Sequence, residues 1–302
     1  MTTGLVLMTY GAPTGREDLP AYLARVRGGK IPSDDLVAEM ARRYECIGGS
    51  PLVRITMAQA AALERELNGD GDTWRAAAAM RFSEPSVARA VRDLSAAGAR
   101  RLIGLVMSPQ WSETLMGGYA RALEEAAGGL PVAMTRAWHR EPAFIDALAA
   151  SVRETLMALG PAGRDVPCVL TAHSLPRRVF DADPEYTRQL RETAELVAER
   201  AGVAGRWSWA YQSAGHTKEE WLRPDLTEVF PGLVRAGHRA VVVVPVQFLA
   251  DHLEVLYDLD VAAADQARTA GLAYHRIPMP NVRPAFIQAL AAVVRRGALA
   301  PV

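Results

Sequence analysis

Residues 240–258 indicate the fold class most clearly; they read Ala240-Val-Val-Val-Val-Pro-Val-Gln-Phe248 followed by Leu-Ala-Asp251-His252-Leu-Glu254-Val-Leu-Tyr-Asp258. The first nine residues are apolar almost without interruption, whereas a strand with one solvated face would alternate apolar and polar side chains. Such a run predicts a strand buried on both faces, as in a parallel sheet covered by helices. The residues after it predict a helix that follows the strand.

Similar apolar runs recur along the chain and alternate with longer amphipathic stretches. The predicted strands are Leu5–Tyr10, Trp74–Phe82, Leu102–Ser108, Pro131–Met134, Pro167–Ser174, Trp207–Ser213, Ala240–Phe248 and Leu272–Ile277. The predicted helices include Ser83–Ala97, Pro142–Leu159, Glu185–Ala201 and Arg283–Arg295. The run Ala76–Ala79 has the weakest support, because alanine has little strand preference. Strand–helix–strand alternation predicts right-handed crossovers and an α/β fold.

The predicted strands divide into four and four, with a break near Trp138–Pro142. This division predicts two Rossmann-like, doubly wound domains with four-stranded parallel sheets, residues 1–140 and residues 141–302. The last helix could pack back on the first domain. Ligand clefts in such sheets lie beyond the carboxyl ends of the strands, so candidate functional residues are sought there.

Composition excludes several classes of function. The 302 residues carry 34 basic and 34 acidic side chains, a balance that argues against nucleic acid as the main partner. Two distant cysteines, Cys46 and Cys168, support neither a disulfide framework nor an iron–sulfur cluster, and they favour a reducing cytoplasm. We find no signal peptide and no apolar run of about 20 residues that would span a membrane. No G-x-G-x-x-G or P-loop motif supports a nucleotide cofactor.

The helix after the 240–248 strand carries several carboxylates. If Asp251 begins this helix, Glu254 at i+3 and Asp258 at i+7 lie on the same face. Carboxylates so arranged repel each other unless cations, protons or water offset the charge. Two alternatives stay open from the residues alone, a solvated acidic face and a simple N-cap role for Asp251.

Other strand ends also carry candidate side chains. Tyr10, in Met8-Thr-Tyr10-Gly-Ala-Pro13, could donate a hydrogen bond, stack on a flat ligand or approach a metal, or simply pack at the strand end. His173 ends a buried strand and could accept a proton, bind a transition metal or serve a structural role. The loops with Trp111, and with Gln212 and Ser213, suit a flat ligand with polar edges.

Five segments together resemble the ferrochelatase family in order and spacing. They are Met8–Pro13, Tyr44–Leu52, Thr171–Pro176, Tyr211–Ser213 and Asp251–Asp258. The resemblance extends over nearly the whole chain, to Pro278-Met-Pro-Asn281, and the A-H-S-L-P and D-H-L-E-x-L-Y-D segments are its most specific parts.

The resemblance implies a porphyrin cleft between the domains, Fe²⁺ as substrate and no prosthetic group. By the family pattern, His173 and Glu254 face each other across one side of the macrocycle as catalytic residues and metal ligands, with Asp258 a further metal-binding residue. This pairing makes chemical sense, because metalation removes two pyrrole N–H protons while a divalent ion is delivered. Histidine and carboxylate ligands suit ferrous iron.

The family pattern places Tyr10 on the opposite face of the ring, which favours coproporphyrin III as substrate; protoporphyrin IX is the alternative. Arg27, Ser50 and Tyr119 fall at positions that match porphyrin contacts in the family. The remaining predicted porphyrin-binding residues are Arg43, Arg81, Trp111, Gln212 and Ser213.

Three residues depart from the family pattern. Ala262 replaces a carboxylate one turn after Asp258, which weakens a second divalent-ion site near Glu254 and Asp258. Gly28 reduces a basic pair beside Arg27, and Ala182 replaces a glycine. We expect a monomer with transient haem-pathway partners. From a different class, a haem-binding or haem-delivery protein without turnover is the alternative to an enzyme.

Overall fold

The computed structural model describes residues 1–68, 73–215 and 219–298. Within these ranges the strands form two four-stranded parallel sheets, in the orders β2-β1-β3-β4 and β6-β5-β7-β8. The strands are Thr3–Thr9 (β1), Trp74–Met80 (β2), Arg101–Val106 (β3), Val132–Thr135 (β4), Cys168–His173 (β5), Trp207–Gln212 (β6), Ala240–Pro245 (β7) and Ala273–Arg276 (β8). The predicted α/β fold with two four-stranded parallel sheets is therefore confirmed.

Helices follow most of the strands and cover both faces of each sheet. They are Leu19–Val26 (α1), Asp34–Cys46 (α2), Leu52–Leu67 (α3), Val87–Ala96 (α4), Glu113–Ala126 (α5), Pro142–Ala158 (α6), Arg177–Ala182 (α7), Pro184–Ala201 (α8), Leu226–Arg235 (α9), Ala264–Ala270 (α10) and Pro284–Ala298 (α11). A 3-10 helix at Gly160–Arg164 and a π-helix at Glu254–Ala263 complete the set. None of the helices in the described ranges is long and apolar enough to cross a membrane.

Strand β7 shows why the sequence favours this architecture. It pairs with β5 on one side and β8 on the other, and Val241–Val244 are completely buried. Apolar side chains on both faces of an inner strand are what a helix-covered parallel sheet requires. The alanine-rich run is also a strand, the edge strand β2, which pairs along its whole length with β1.

The two halves of the chain share buried side chains. One hydrophobic cluster joins Leu5 and Leu105 of the first sheet to Val242 of the second, and it includes Phe286 and Leu290 of α11. Helix α11 contacts α3, β3 and β4 as well as α6. Its apolar face therefore covers part of the first sheet. The boundary near residue 140 stays a prediction.

One local expectation is wrong. Asp251 does not begin the helix that carries Glu254; it lies in the loop before it. Its backbone amide donates to Asn281 Oδ1 (2.9 Å), and its carboxylate accepts from Asn281 Nδ2 (2.7 Å), so its side chain caps no helix. The helix itself is of the π type at Glu254–Ala263, where the amide of Ala264 donates to the carbonyl of Leu259. Such π segments are rare and frequently lie at functional sites.

Candidate active site

His173 stands at the carboxyl end of β5 with its ring orientation fixed. Its backbone amide donates to Gln247 Oε1 (2.9 Å), and its Nδ1 lies 2.5 Å from the carbonyl oxygen of Ser174. A carbonyl can only accept, so Nδ1 carries the ring proton of the neutral imidazole and Nε2 keeps a free lone pair. The Nε2 atom is therefore available to a proton or a metal ion.

Glu254 begins the π-helix and lies between two imidazoles. Its Oε1 is 3.7 Å from His173 Nε2, and its Oε2 is 3.5 Å from His252 Nε2. The Nδ1 atom of His252 is 2.9 Å from the carbonyl oxygen of Ala250, which leaves Nε2 with the lone pair in the neutral ring. Three groups that can accept a proton thus converge on one point.

His252 is absent from the site predicted from the sequence. Its position two residues before Glu254, within the D-H-L-E segment, is the signal that could have indicated it. Two residues apart in an ordinary helix, the side chains would point in different directions. They meet here because the helix starts only after His252, whose ring also packs edge-on against Phe248.

The electrostatics of the cluster keep the carboxylate charged. Burial alone would raise the pKa of Glu254, but His173 and His252 outweigh it and lower this pKa to about 2. Burial disfavours the charged form of His252, yet the hydrogen bond and charge of Glu254 leave the pKa of His252 raised. The side chains of His173 and Glu254 are 25% and 39% exposed, so both are open to a ligand in the cleft.

Asp258 lies further along the same π-helix in a different environment. Burial and the charge of Glu254 raise the pKa of Asp258, while Ser213, Arg43 and His173 oppose the rise. Arg43 Nη1 is 3.5 Å from Asp258 Oδ1, so Asp258 already faces a cation from α2. In the described part of the chain, no group of three or more His, Cys, Asp or Glu side chains forms a ready-made metal cluster.

Tyr10 follows β1 and belongs to the opposite wall of the cleft. Its side chain is 45% exposed, and its ring packs edge-on against Phe82 at 4.6 Å between centroids. Burial and the charge of Glu254 raise the pKa of Tyr10 to about 12, against the opposing effect of Arg81. The phenol therefore keeps its proton at neutral pH. Its electrostatic coupling to Glu254 shows that the two walls face each other.

Arg81 extends the wall that begins with Tyr10. Its guanidinium lies 5.0 Å from the ring centre of Phe82 and 5.1 Å from that of Tyr119, and it donates to the carbonyl of Leu115 (3.2 Å). Gly118 makes room for it, since a Cβ atom there would stand 2.1 Å from Arg81 Nη2. Tyr119 is buried beneath this guanidinium.

The other predicted porphyrin-binding residues occupy varied positions. Ser50 lines a cavity of about 780 Å³ together with Tyr44 and Leu256, next to the π-helix. Arg27 is exposed at the end of α1, and Trp111 is half-buried with Arg136 over its ring at 5.7 Å. The structure thus gathers His173, Glu254, Asp258, Tyr10 and Arg81 around one cleft, whereas Arg27 lies at the surface.

Gln212 and Ser213 lie at the end of β6. Gln212 is only 2% exposed and accepts a 2.6 Å hydrogen bond from Thr171, so its side chain contacts protein. Ser213 has a positive φ of 60°, which ends the strand sharply and brings its hydroxyl to Asp258.

Comparison with known proteins defines the class first. SirB from Bacillus subtilis, solved with Fe³⁺, superposes with a TM-score of 0.62 over 99% of this chain and 96% of its own, at 12% identity. The fold is therefore that of the two-domain chelatases.

Sequence comparison then defines the family. The ferrochelatase family model matches residues 2–298. Coproporphyrin III ferrochelatase from Geobacillus sp. is 38% identical over 96% of both chains. The enzyme of the same description from Anoxybacillus flavithermus is 39% identical over 96% of this chain and 95% of its own. The chain belongs to the ferrochelatase family, the enzymes that insert ferrous iron into a porphyrin. The resemblance found in the sequence is confirmed.

Proposed function

We propose that this protein inserts ferrous iron into coproporphyrin III as a step in haem synthesis. The observation that carries the proposal is the pair His173 and Glu254, 3.7 Å apart and facing the neutral phenol of Tyr10 across the cleft. The relatives described as coproporphyrin III ferrochelatases support the choice of porphyrin. Tyr10 supports it too, because we assign this residue to the face of the ring opposite the pair.

In this mechanism His173 and Glu254 act together. Metal insertion releases two pyrrole N–H protons, so the cleft needs proton acceptors as well as ligands for iron. Nε2 of His173 offers a lone pair, and Glu254 offers a charged carboxylate that its two imidazole neighbours keep ionised. A nitrogen and a carboxylate oxygen are suitable ligands for ferrous iron before it enters the ring. His252 then shares the protons that arrive at Glu254.

We assign the porphyrin to the remaining predicted residues as follows. Arg81, Arg27 and Ser50 bind propionate groups, since a guanidinium and a hydroxyl both hydrogen-bond to carboxylates. Tyr119 acts through Arg81, whose guanidinium it supports, and Trp111 offers a ring face to the macrocycle. Gln212, Ser213 and Arg43 shape the wall behind Asp258 rather than contact the ring.

A second divalent ion near Glu254 and Asp258 belongs to this proposal in a weakened form. Such an ion competes with Arg43 for Asp258, and Ala262 supplies no further carboxylate. Adding Mg²⁺ should therefore change the rate of iron insertion by less than about twofold, while Ala262→Glu should make the rate Mg²⁺-dependent. Equal Mg²⁺ responses in both proteins would contradict this view.

We further propose a cytoplasmic monomer that meets its haem-pathway partners transiently. The support is that Cys46, exposed, and Cys168, buried, are both free thiols, as a reducing compartment requires. Sedimentation at micromolar concentration tests the monomer directly.

The decisive experiment is anaerobic insertion of ferrous iron into coproporphyrin III and protoporphyrin IX side by side, compared by kcat/KM. A clear preference for coproporphyrin III is the expected result. A preference for protoporphyrin IX would keep the enzyme class and remove the proposed substrate. Tight haem binding without insertion into either porphyrin would favour a haem carrier.

A further inference from the structure

A buried ion-pair network lies beside the π-helix and takes no part in the mechanism above. Arg276, the last residue of β8, is 12% exposed. Its Nε and Nη2 donate to the two carboxylate oxygens of Asp260, at 2.6 and 2.7 Å, and its Nη1 donates to the carbonyl of Ile277 at 2.7 Å. Its Nη2 also lies 3.9 Å from Asp251 Oδ1. One guanidinium therefore contacts the chain both before and after Glu254.

Asn281 completes the support on the side of Asp251. Besides its two hydrogen bonds to Asp251, Asn281 donates its backbone amide to Leu249 (2.9 Å) and accepts at its carbonyl from Gln59 of α3 (2.8 Å). Asn281 adopts a left-handed conformation with φ of 46°, which turns its side chain and backbone toward the same loop. The loop before the π-helix is thus fixed to α3 as well as to β8.

The contacts of Glu254 itself explain why this support matters. Its oxygens lie 3.5 and 3.7 Å from the two imidazole nitrogens, longer than ordinary hydrogen bonds. These contacts leave the carboxylate loosely held. Its position opposite His173 depends on where the backbone of the π-helix stands, and Arg276 ties that backbone to β8.

We propose that Arg276 is a positioning residue for iron binding: by gripping Asp260 and Asp251 it holds the π-helix so that Glu254 stands opposite His173. This inference rests on the proposed function, because it assigns the iron to that pair. A bidentate guanidinium–carboxylate pair fixes both distance and orientation, which a lysine ammonium cannot do. The expected defect of Arg276→Lys is therefore in metal binding and not in porphyrin binding.

The test compares Arg276→Lys with Arg268→Lys in the full-length protein. Arg268 forms an exposed pair with Asp265 on α10, 77% exposed, so it controls for loss of an arginine nearby. Two quantities are measured: the KM for ferrous iron during insertion, and the Kd for Co²⁺ from its visible absorption without porphyrin. Glu254→Gln serves as the reference that removes the metal ligand.

We expect Arg276→Lys to raise both the iron KM and the Co²⁺ Kd about tenfold, the lower end of the range for residues that support metal ligands. Porphyrin affinity and Arg268→Lys should stay within about twofold of the wild type. Unchanged Co²⁺ binding in Arg276→Lys would overturn the proposal. So would an equal loss of porphyrin and metal affinity, which would indicate a general structural defect. If the wild type binds Co²⁺ yet inserts no iron, the proposed function fails, and Co²⁺ binding alone decides the role of Arg276.

Discussion

Strands β1 and β5 occupy the same place in their sheets, because the orders β2-β1-β3-β4 and β6-β5-β7-β8 are the same arrangement used twice. Their carboxyl ends nevertheless differ. Tyr10 follows β1 beside Phe82, with the guanidinium of Arg81 nearby, while His173 ends β5 beside the carboxylate of Glu254. One wall is aromatic and cationic, and the other offers lone pairs and negative charge. The repeated fold makes the crevice, and the side chains at its rims divide the work between holding a ring and binding a metal.

The largest expected effect comes from changes on the second wall. His173→Ala and Glu254→Gln should each lower kcat for iron insertion by about 100-fold or more, the scale of a lost acid–base group. Porphyrin should still bind, because the first wall is untouched. Anaerobic kinetics and porphyrin fluorescence quenching measure the two quantities. His238→Ala is the matched control, since His238 precedes β7 at the opposite end of that strand. Turnover retained by His173→Ala would end the division of roles.

Changes on the first wall should affect the porphyrin instead. In Gly118→Ala the new methyl group must push away the guanidinium of Arg81. We expect the porphyrin KM to rise about tenfold, with kcat nearly unchanged, since each charge-assisted hydrogen bond lost costs about 1.5 kcal/mol. Gly117→Ala provides the control, because its Cβ would meet the flexible side chain of Glu113. Equal effects of the two substitutions would remove Arg81 from the porphyrin site.

Tyr10→Phe makes a smaller change to the same wall. The phenol keeps its proton at neutral pH because the pKa of Tyr10 is raised to about 12. Losing one neutral hydrogen bond, about 1 kcal/mol, should weaken binding of the iron–coproporphyrin product about fivefold and shift its absorption spectrum. Titration of the product into both proteins measures this. An unchanged spectrum would mean that Tyr10 lies away from the metal.

The smallest effect concerns stability, at Asp258. The pKa of Asp258 is raised in the folded protein, so the charged form costs stability that is absent below the unfolded value near 4 and grows as pH rises through the folded value. Asp258→Asn should therefore raise Tm by about 1 °C at pH 7, since about 1 kcal/mol corresponds to roughly 2–4 °C in a domain of 150–250 residues. The gain should vanish at pH 3. A lower Tm at pH 7 would show that the pair with Arg43 outweighs burial.

The fold was predictable because β-strand burial is written directly in the sequence. The valines of β7 are apolar on both faces, and even the alanine run of β2 was identified from its place between helical stretches. Tyr10 and His173 could be assigned to the cleft because carboxyl ends of parallel strands share one edge.

The details of the second wall were less predictable. Spacing i, i+4 between Glu254 and Asp258 suits an α-helix and a π-helix alike, so the sequence does not distinguish them. Asp251 is drawn out of the helix by Asn281, 30 residues later in the chain, a contact that no local pattern contains. His252 was missed for the same reason, because its contact with Glu254 depends on where the helix starts.

Helix α11 bears on how the chain reaches its native state. It packs on α3, β3 and β4, which are all made long before it during synthesis. The ribosome adds residues in order, and an early domain can start to fold while the rest is still being made. Here the patch of the first sheet that α11 covers stays exposed to water and chaperones until residues 284–298 have been added. The cleft is therefore completed last, and premature termination within α11 would leave this patch open in a chain that already contains every residue of the proposed site.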